Sequence, residues 1–520
     1  MDIMGWIVAA LMLCPMFFVL RYNLHMFQLN GYKNPEHRTW LKKNVKKQEI
    51  LLLTAGTGGL ALFVPHPVAW LAELLLAVPV LCYYRYLKRT NTKKRLVYTN
   101  RVKRQLLTVA VLLGLTAVLT VLLGGIRRLP GSMAVFLAGE PVLLLLVNRL
   151  NRPMELLVNR HYVEDAKRRL AAADGLTVIG VTGSYGKTSV KYYLQTLLQE
   201  RFSVLITPES YNTPMGVVKT IRESLRPEHE IFVCEMGARH VGDIREICEI
   251  VHPGIGVITS IGPQHLETFF NMENIIHTKF ELAEALPEGA LLFLNGDNEA
   301  IVGNSTKYRN KVFYRTEQNG EGYYASDIRL SQAGTEFTVH APDGSTERFQ
   351  MKLVGAHNVI NVMGAIAVAN RLGIPLRQLR IPVRRLQPVA HRMQLLEQGA
   401  VTVIDDAYNS NPAGSRAAVE TLKLFEGVRI LVTPGMVELG EKEEEYNYRF
   451  GGYAAACCDY ILLVGRRHTE PIGRGALEAG FPAERCQAFD TLEEAFLAAC
   501  QIREEGHKFI LLENDLPDNY

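Results

Sequence analysis

LTVIGVTGSYGKTS, residues 176–189, decides the fold of everything downstream of it. Its first half is an apolar, β-branched run closed by Gly180, which reads as a buried parallel strand. Its second half is a glycine-rich turn, and the residues that follow, VKYYLQTLLQE, carry apolar positions at helical spacing. Strand, loop and helix are predicted in that order. Gly183 and Gly186 let the backbone turn tightly enough to aim N–H groups at a polyphosphate, at the positive end of the next helix. Lys187 then reaches the β- and γ-phosphates, and Thr188 offers its hydroxyl to Mg²⁺. The loop residues Gly183, Ser184, Gly186, Lys187, Thr188 and Ser189 form the candidate ATP-binding set. A strict P-loop has glycine at 181, where this chain has valine, so the match is to the shorter Gly-x-x-Gly-Lys-Thr form.

Upstream of this stretch, five segments are apolar enough to span a bilayer: residues 4–20, 50–64, 68–84, 106–124 and 133–147. Several lie near the lower limit of about 17 residues. Pro65-His66-Pro67 separates the second from the third as a tight hairpin. The connection 21–47 carries Arg21, Lys33, Arg38, Lys42, Lys43, Lys46 and Lys47, and the connection 85–104 is basic with no acid at all. By the positive-inside rule both are cytoplasmic, which puts everything after Asn148 in the cytoplasm, where ATP is. A secretory signal competes for the first segment, but no small-residue cleavage site follows it. Glu140-Pro141 falls inside the last span; an intramembrane carboxylate marks either a functional site or a protonated, packed or snorkelling side chain. Glu73 reads as interfacial, and residues 151–173 as an amphipathic linker helix.

Downstream, apolar runs alternate with helical patterns, which predicts a doubly wound sheet with its ligand at the strand tips. After a strand at FSVLIT, the next, 229–234, ends on Glu235-Met236-Gly237, which puts a carboxylate beside the phosphate loop where a metal needs one. A later strand, 255–261, runs into Gly-Pro-Gln-His and brings His265 to the same edge. Lys279 and Glu281 follow on a helix, and another strand runs into Asn295-Gly296-Asp297. Taken singly, a histidine such as His265 is more often packed or at the surface and a lysine such as Lys279 solvated on its helix; placement at successive strand ends is what raises both. Residues 312–353 read as a small antiparallel addition, and Asn358 as the cap of an alanine-rich helix. From residue 401 a second alternating α/β pattern begins, with Asp405-Asp406 at a strand end.

With 520 residues the chain has room for three or four domains, and a net charge of +4 gives no reason to expect a nucleic-acid partner. The eight cysteines show no metal-like spacing, which fits buried thiols in a reducing compartment. The predicted fold class is an α-helical membrane domain (1–150) and a linker helix (151–175), followed by two α/β domains. These are a P-loop-type central ATPase domain (176–390) and a Rossmann-like C-terminal domain (391–520).

The ordered set TGSYGKTS, YNTPMGV, EMGARHVGDI, IGPQHLE, HTKFE, LNGDNE, GAHNVIN, HRMQ, IDDAYNSNP and MVELGE resembles the Mur ligases, ATP-dependent amide-forming enzymes of cell-wall synthesis. EMGA, DDAYNSNP and MVELGE look like the branch that adds D-alanyl-D-alanine to a UDP-muramoyl tripeptide. The resemblance implies Lys187 and Thr188 at the phosphates and Mg²⁺, Glu235 and His265 as metal ligands, and Lys279 as a carbamylated lysine. It further implies Asn295 near the adenine, His357 and Asn358 near the nucleotide, Arg392 at the phosphates after domain closure, and Asp406 near the ribose. Glu438 and Asn411 are candidates for positioning the incoming amine, with a turn or cap role equally open for Asn411. The chain departs from the family where helices stand in place of the usual sugar-binding domain, and at Tyr185, a bulky residue in the phosphate loop.

The implied activity is a membrane-anchored ligation of a cell-wall precursor acceptor to an amine or dipeptide, with membrane lipids as further partners and a lipid-linked acceptor fitting the anchor. A transport ATPase and a non-catalytic scaffold are the rival classes. No ABC-type signature supports the first, and the retention of Lys187, Glu235, His265 and Lys279 argues against the second.

Overall fold

The computed structural model describes residues 2–64, 66–89, 95–209, 211–408 and 410–515. Pro65 of the expected hairpin, residues 90–94 of the basic connection, Ser210 and Asn409 therefore lie outside the described residues. The chain divides into two compact units, one built from residues 1–160 and the other from residues 161–516.

The first unit is helical. Among the described residues, four helical segments are long and apolar enough to cross a membrane: Ile3–Leu29, Pro67–Leu87, Asn100–Gly124 and Ile126–Ala171. The second expected span, 50–64, is the helix Glu49–Phe63, whose 15 residues fall short of the usual spanning length of about 17. That helix packs closely on Leu129–Ala171 through small residues. A Cβ added at Gly58 would lie 2.7 Å from Ala134 Cβ, and one added at Gly131 would lie 2.7 Å from Gly58 O. The separate linker helix is not formed, because Leu129–Ala171 is one helix that continues through Pro141 and Pro153. Glu73 and Glu140 are both buried, which sets aside the snorkelling alternative for Glu140. Arg104 makes a bidentate pair with Glu155 at 2.7 and 2.8 Å.

The second unit holds two sheets. The first contains β1 (Thr177–Thr182), β2 (Val204–Ile206), β3 (Ile231–Glu235), β4 (Ile255–Ile258), β5 (Leu291–Asn295), β6 (Lys311–Arg315), β7 (Tyr323–Ser331), β8 (Gly334–His340) and β9 (Thr346–Met351). Their spatial order is β2-β3-β1-β4-β5-β6-β7-β8-β9. β1 to β7 pair in parallel, and β7 to β9 form the expected antiparallel addition.

The period-2 alternation of the strands builds one core on each face. Ile179 and Val181 of β1, with Ile231 and Val233 of β3, enter the core under helices Lys187–Leu198 and Ala356–Arg371. Val178, Phe232 and Cys234 enter the opposite core with helices Asp243–Val251 and Met272–Ala285. Burying such aliphatic side chains contributes roughly 1.5–3 kcal/mol each, so a strand filled on both faces stays central in the sheet.

The second sheet runs β10 (Gln394–Gln398), β11 (Val401–Asp406), β12 (Val428–Thr433), β13 (Tyr460–Val464), β14 (Cys486–Phe489) and β15 (Lys508–Glu513) in the order β10-β11-β15-β12-β13-β14. All pairs are parallel except β10 with β11. β10 was not anticipated from the sequence, and it carries the chain from Arg392 into the second sheet.

Candidate functional site

The loop after β1 turns as its glycines dictate. Gly183 and Gly186 have φ of 151° and 79°, and an added Cβ would lie 2.1 Å from Thr259 Oγ1 or 2.4 Å from Asn361 Oδ1. Ser184 N–H donates to Ser260 O at 2.7 Å, and its hydroxyl donates to Gly262 O at 2.9 Å, which ties the loop to the chain beyond β4. Tyr185 extends the same tie, with its hydroxyl on Pro263 O at 2.8 Å. Lys187 Nζ donates to Gly183 O at 2.7 Å and Ser184 O at 3.1 Å, and burial lowers its pKa to about 8. Ser189 is buried on the first turn of the helix that follows.

Glu235 lies at the tip of β3, in register with Val181 of β1. Its Oε1 accepts from the Thr188 hydroxyl at 3.1 Å and from Asn212 Nδ2 at 3.0 Å, while Oε2 pairs with Lys191 Nζ at 3.0 Å. Burial works against the Glu235 carboxylate charge, but Lys191 and Lys187 outweigh it and hold the pKa below the ordinary range. Lys191 and Asn212 are not among the site residues expected from the sequence. Lys191 stands one helical turn after Lys187 and Asn212 lies in the quoted YNTP stretch, but only the fold brings either to Glu235.

Lys279 is buried on Met272–Ala285 with its amine 5.8 Å from the Phe269 ring centroid. Burial, with the Lys187 charge adding to it, lowers its pKa to about 7. His265 sits at φ 52° and its Nδ1 is hydrogen-bonded to Glu438 Oε2, across the two α/β domains. Burial depresses the His265 pKa. Burial would raise Glu438, but the His265 hydrogen bond and the Arg239 charge, 3.3 Å from Oε1, bring it down to about 2.

From the second sheet, Arg392 lies over the Tyr408 ring at 4.6 Å and donates to Thr188 Oγ1 at 3.3 Å. Asp406 Oδ1 accepts from Met393 N–H at 3.2 Å. Burial, with the neighbouring Glu513 charge, raises the Asp406 pKa to about 7.

The asparagines of the expected set make hydrogen bonds within the protein. Asn358 is the third residue of Ala356–Arg371, not its cap; Gly355 is the N-cap, and the Asn358 side chain is spent on Tyr193 at 2.9 Å and Val354 O at 2.8 Å. Asn295 donates to Thr259 O at 2.8 Å and accepts from Asp297 N–H at 2.9 Å, so it shapes the loop after β5. His357 keeps a buried Nδ1 with no partner among the described residues. Asn411 is a cap, accepting from Gly414 N–H at 2.7 Å. No group of three His, Cys, Asp or Glu forms a metal cage among the described residues. The pair that does meet, the Thr188 hydroxyl and the Glu235 carboxylate, is a hard-oxygen set suited to a magnesium ion that keeps phosphate oxygens and waters among its ligands.

A phosphate loop on a doubly wound sheet, with an arginine from a second α/β domain at its threonine, defines a two-domain nucleotide-binding α/β protein. Residues 181–369 match the Mur ligase middle domain and residues 391–512 the Mur ligase glutamate ligase domain. The chain is 36% identical over 319 residues to the UDP-N-acetylmuramoyl-tripeptide–D-alanyl-D-alanine ligase of Mycobacterium tuberculosis, covering 59% of this chain and 62% of that protein. The corresponding ligase of Mycobacterium leprae is 31% identical over 362 residues, covering 64% of this chain and 70% of that protein. Among solved structures, MurF from Acinetobacter baumannii aligns with a TM-score of 0.63 at 26% identity, over 70% of this chain and 78% of that one. MurF from Thermotoga maritima in complex with ADP aligns with 0.62 at 26% identity, over 69% and 80%. The chain belongs to the Mur ligase family.

Proposed function

We propose that the chain is a membrane-anchored, ATP-dependent ligase that joins an amine, with D-alanyl-D-alanine or a similar dipeptide as the best candidate, to the carboxylate of a cell-wall peptide precursor. The observation that carries this reading is the meeting of Glu235 and Arg392 at the Thr188 hydroxyl of the phosphate loop, with the Lys187 charge acting on Glu235. The names of the relatives support the choice of amine and acceptor. The four long apolar helices support the anchor, and the basic connections 21–47 and 85–104 support a cytoplasmic ligase. A lipid-linked acceptor is the variant that this anchor favours.

In this mechanism a carboxylate oxygen of the acceptor attacks the γ-phosphorus of ATP, giving an acyl phosphate and ADP. The amine then attacks the acyl carbon, and inorganic phosphate leaves. Both steps put negative charge on oxygens, and Lys187 and Arg392 bring positive charge to where it develops. Thr188 and Glu235 would hold Mg²⁺, which would supply further neutralisation on the phosphates. Lys191 and Asn212 orient the Glu235 carboxylate. Lys279 would take up CO₂: its neutral amine, a large fraction of molecules at a pKa of about 7, would attack the CO₂ carbon and release a proton to solvent, leaving an anionic carbamate. The Glu438–His265 bond holds the second domain beside the first, which excludes the water that would hydrolyse an acyl phosphate.

The test supplies the full chain with ATP, Mg²⁺, soluble or lipid-linked acceptors and candidate amines, and follows phosphate release beside product mass. Amine-dependent amide product is expected, and Lys187→Ala is expected to abolish it while leaving membrane insertion intact. Undiminished product from that variant refutes the assignment. Amine-independent ATP turnover tied to solute movement would favour a transporter instead, and no turnover with any substrate would favour a scaffold.

A further inference from the structure

Arg392 reaches the phosphate loop from a segment with an uncommon backbone. His391 and Met393 have φ of 59° and 49°, in the left-handed region that residues other than glycine seldom occupy, and Arg392 stands between them. Two consecutive carboxylates of β11 hold the two flanks. Asp405 Oδ2 accepts from His391 Nδ1–H at 2.7 Å, and Asp406 Oδ1 accepts from Met393 N–H at 3.2 Å. Asp405 is anchored in turn, because its Oδ1 accepts from Ala407 N–H at 3.2 Å and its side chain is only 12% exposed. Its residue pairs with Gln394 across the β10–β11 ladder, so the carboxylate sits where the chain enters the second sheet.

Asp406 has a nucleotide role implied by the family resemblance, whereas that resemblance assigns none to Asp405 or His391. We propose that Asp405 and His391 are a positioning pair for Arg392: the carboxylate fixes the imidazole, the imidazole fixes its own backbone, and the guanidinium is thereby aimed across the domain boundary at Thr188. This deepens the ligase reading and rests on it. The His391 side chain is 59% exposed, and a solvent-facing imidazole–carboxylate pair adds little to stability. What it can supply is direction. An arginine on an unclamped connection would sample many rotamers and lose that freedom at each phosphoryl transfer, and a misplacement of about 1 Å costs on the order of a hundredfold in rate.

The test is steady-state kinetics on the full chain with Asp405→Ala, His391→Ala, Arg392→Ala and their pairwise combinations. Asp405→Ala and His391→Ala are each expected to lower kcat about tenfold or more while KM for ATP moves less than about threefold. Neither is expected to add to the loss in an Arg392→Ala background, because each acts through that side chain. Asp405→Asn is expected to recover most of the rate, since its amide oxygen still accepts from Nδ1–H. Additive losses, an Asn variant as poor as the Ala variant, or an effect confined to KM would overturn the proposal.

A second measurement needs no turnover. Amide hydrogen exchange of residues 391–393 is expected to quicken about tenfold in Asp405→Ala and His391→Ala, with β11 unchanged. Unchanged exchange overturns the pair. If the wild-type chain makes no amide with any substrate, the ligase reading fails by itself, and the exchange measurement still decides the positioning pair.

Discussion

Lys191 and Glu235 form an ion pair at 3.0 Å in which the two side chains are 0% and 1% exposed. The pair joins the helix after the phosphate loop to the tip of β3, and it is the most deeply buried charge pair at the site. Removing one partner strands the other charge away from water. Lys191→Met is therefore expected to destabilise the chain by roughly 3–5 kcal/mol, while Lys191→Met combined with Glu235→Gln recovers much of that loss. Thermal unfolding of the three proteins side by side checks it, and a double variant no more stable than Lys191→Met would contradict it.

Lys279 makes a pH-dependent prediction. Its pKa falls from 10.5 to about 7 on folding, so between those values the folded chain binds fewer protons than the unfolded one. The cost of burying the ammonium is thus full below pH about 7 and fades as pH rises toward 10.5. In CO₂-free buffer, Lys279→Met is expected to raise Tm most at pH 6–7 and least near pH 10. A stability gain that grew with pH would reverse the assigned sign.

Bicarbonate gives an independent handle on the same residue. If Lys279 works as a carbamate, ligase activity falls in CO₂-depleted buffer and returns on adding bicarbonate, whereas Lys279→Arg gains nothing from it. Equal responses of the wild-type and Lys279→Arg proteins would remove the modification from the mechanism.

Gly183 is the position in the loop least able to carry a side chain. Its φ of 151° and the 2.1 Å approach to Thr259 Oγ1 leave no room for a methyl group. Gly183→Ala is expected to weaken binding of a fluorescent ATP analogue at least tenfold, by displacing the loop from Thr259. Affinity within a factor of two of wild type would show that the loop tolerates the shift.

Glu438 binds His265 and Arg239 at once, and both partners belong to the other α/β domain. Glu438→Gln keeps the side-chain shape and removes the charge on which they converge. Product formation is expected to drop about tenfold, as for a lost charge-assisted contact worth about 1.4 kcal/mol, with smaller change in ATP affinity. Measuring kcat and nucleotide affinity separately checks the split; loss of affinity alone would place Glu438 in nucleotide binding instead.

The sequence by itself determined the strand, loop and helix around residues 176–189, the doubly wound sheet and the tip position of Glu235, because each is written in local periodicity and in glycines at fixed spacing. It also located the apolar helices, since bilayer-length runs of apolar residues need no partner to be recognised. Tertiary structure alone decided which polar atoms were free. Asn358 and Asn295 are spent on Tyr193, Val354, Thr259 and Asp297, and no pattern within their own segments reveals partners 36 and 165 residues away. The same holds for Lys191 against Glu235, His265 against Glu438 and Arg392 against Thr188, which are 44, 173 and 204 residues apart in sequence. A hydrogen bond is set by a few tenths of an ångström and a direction, and such geometry exists only once the sheets and helices have packed.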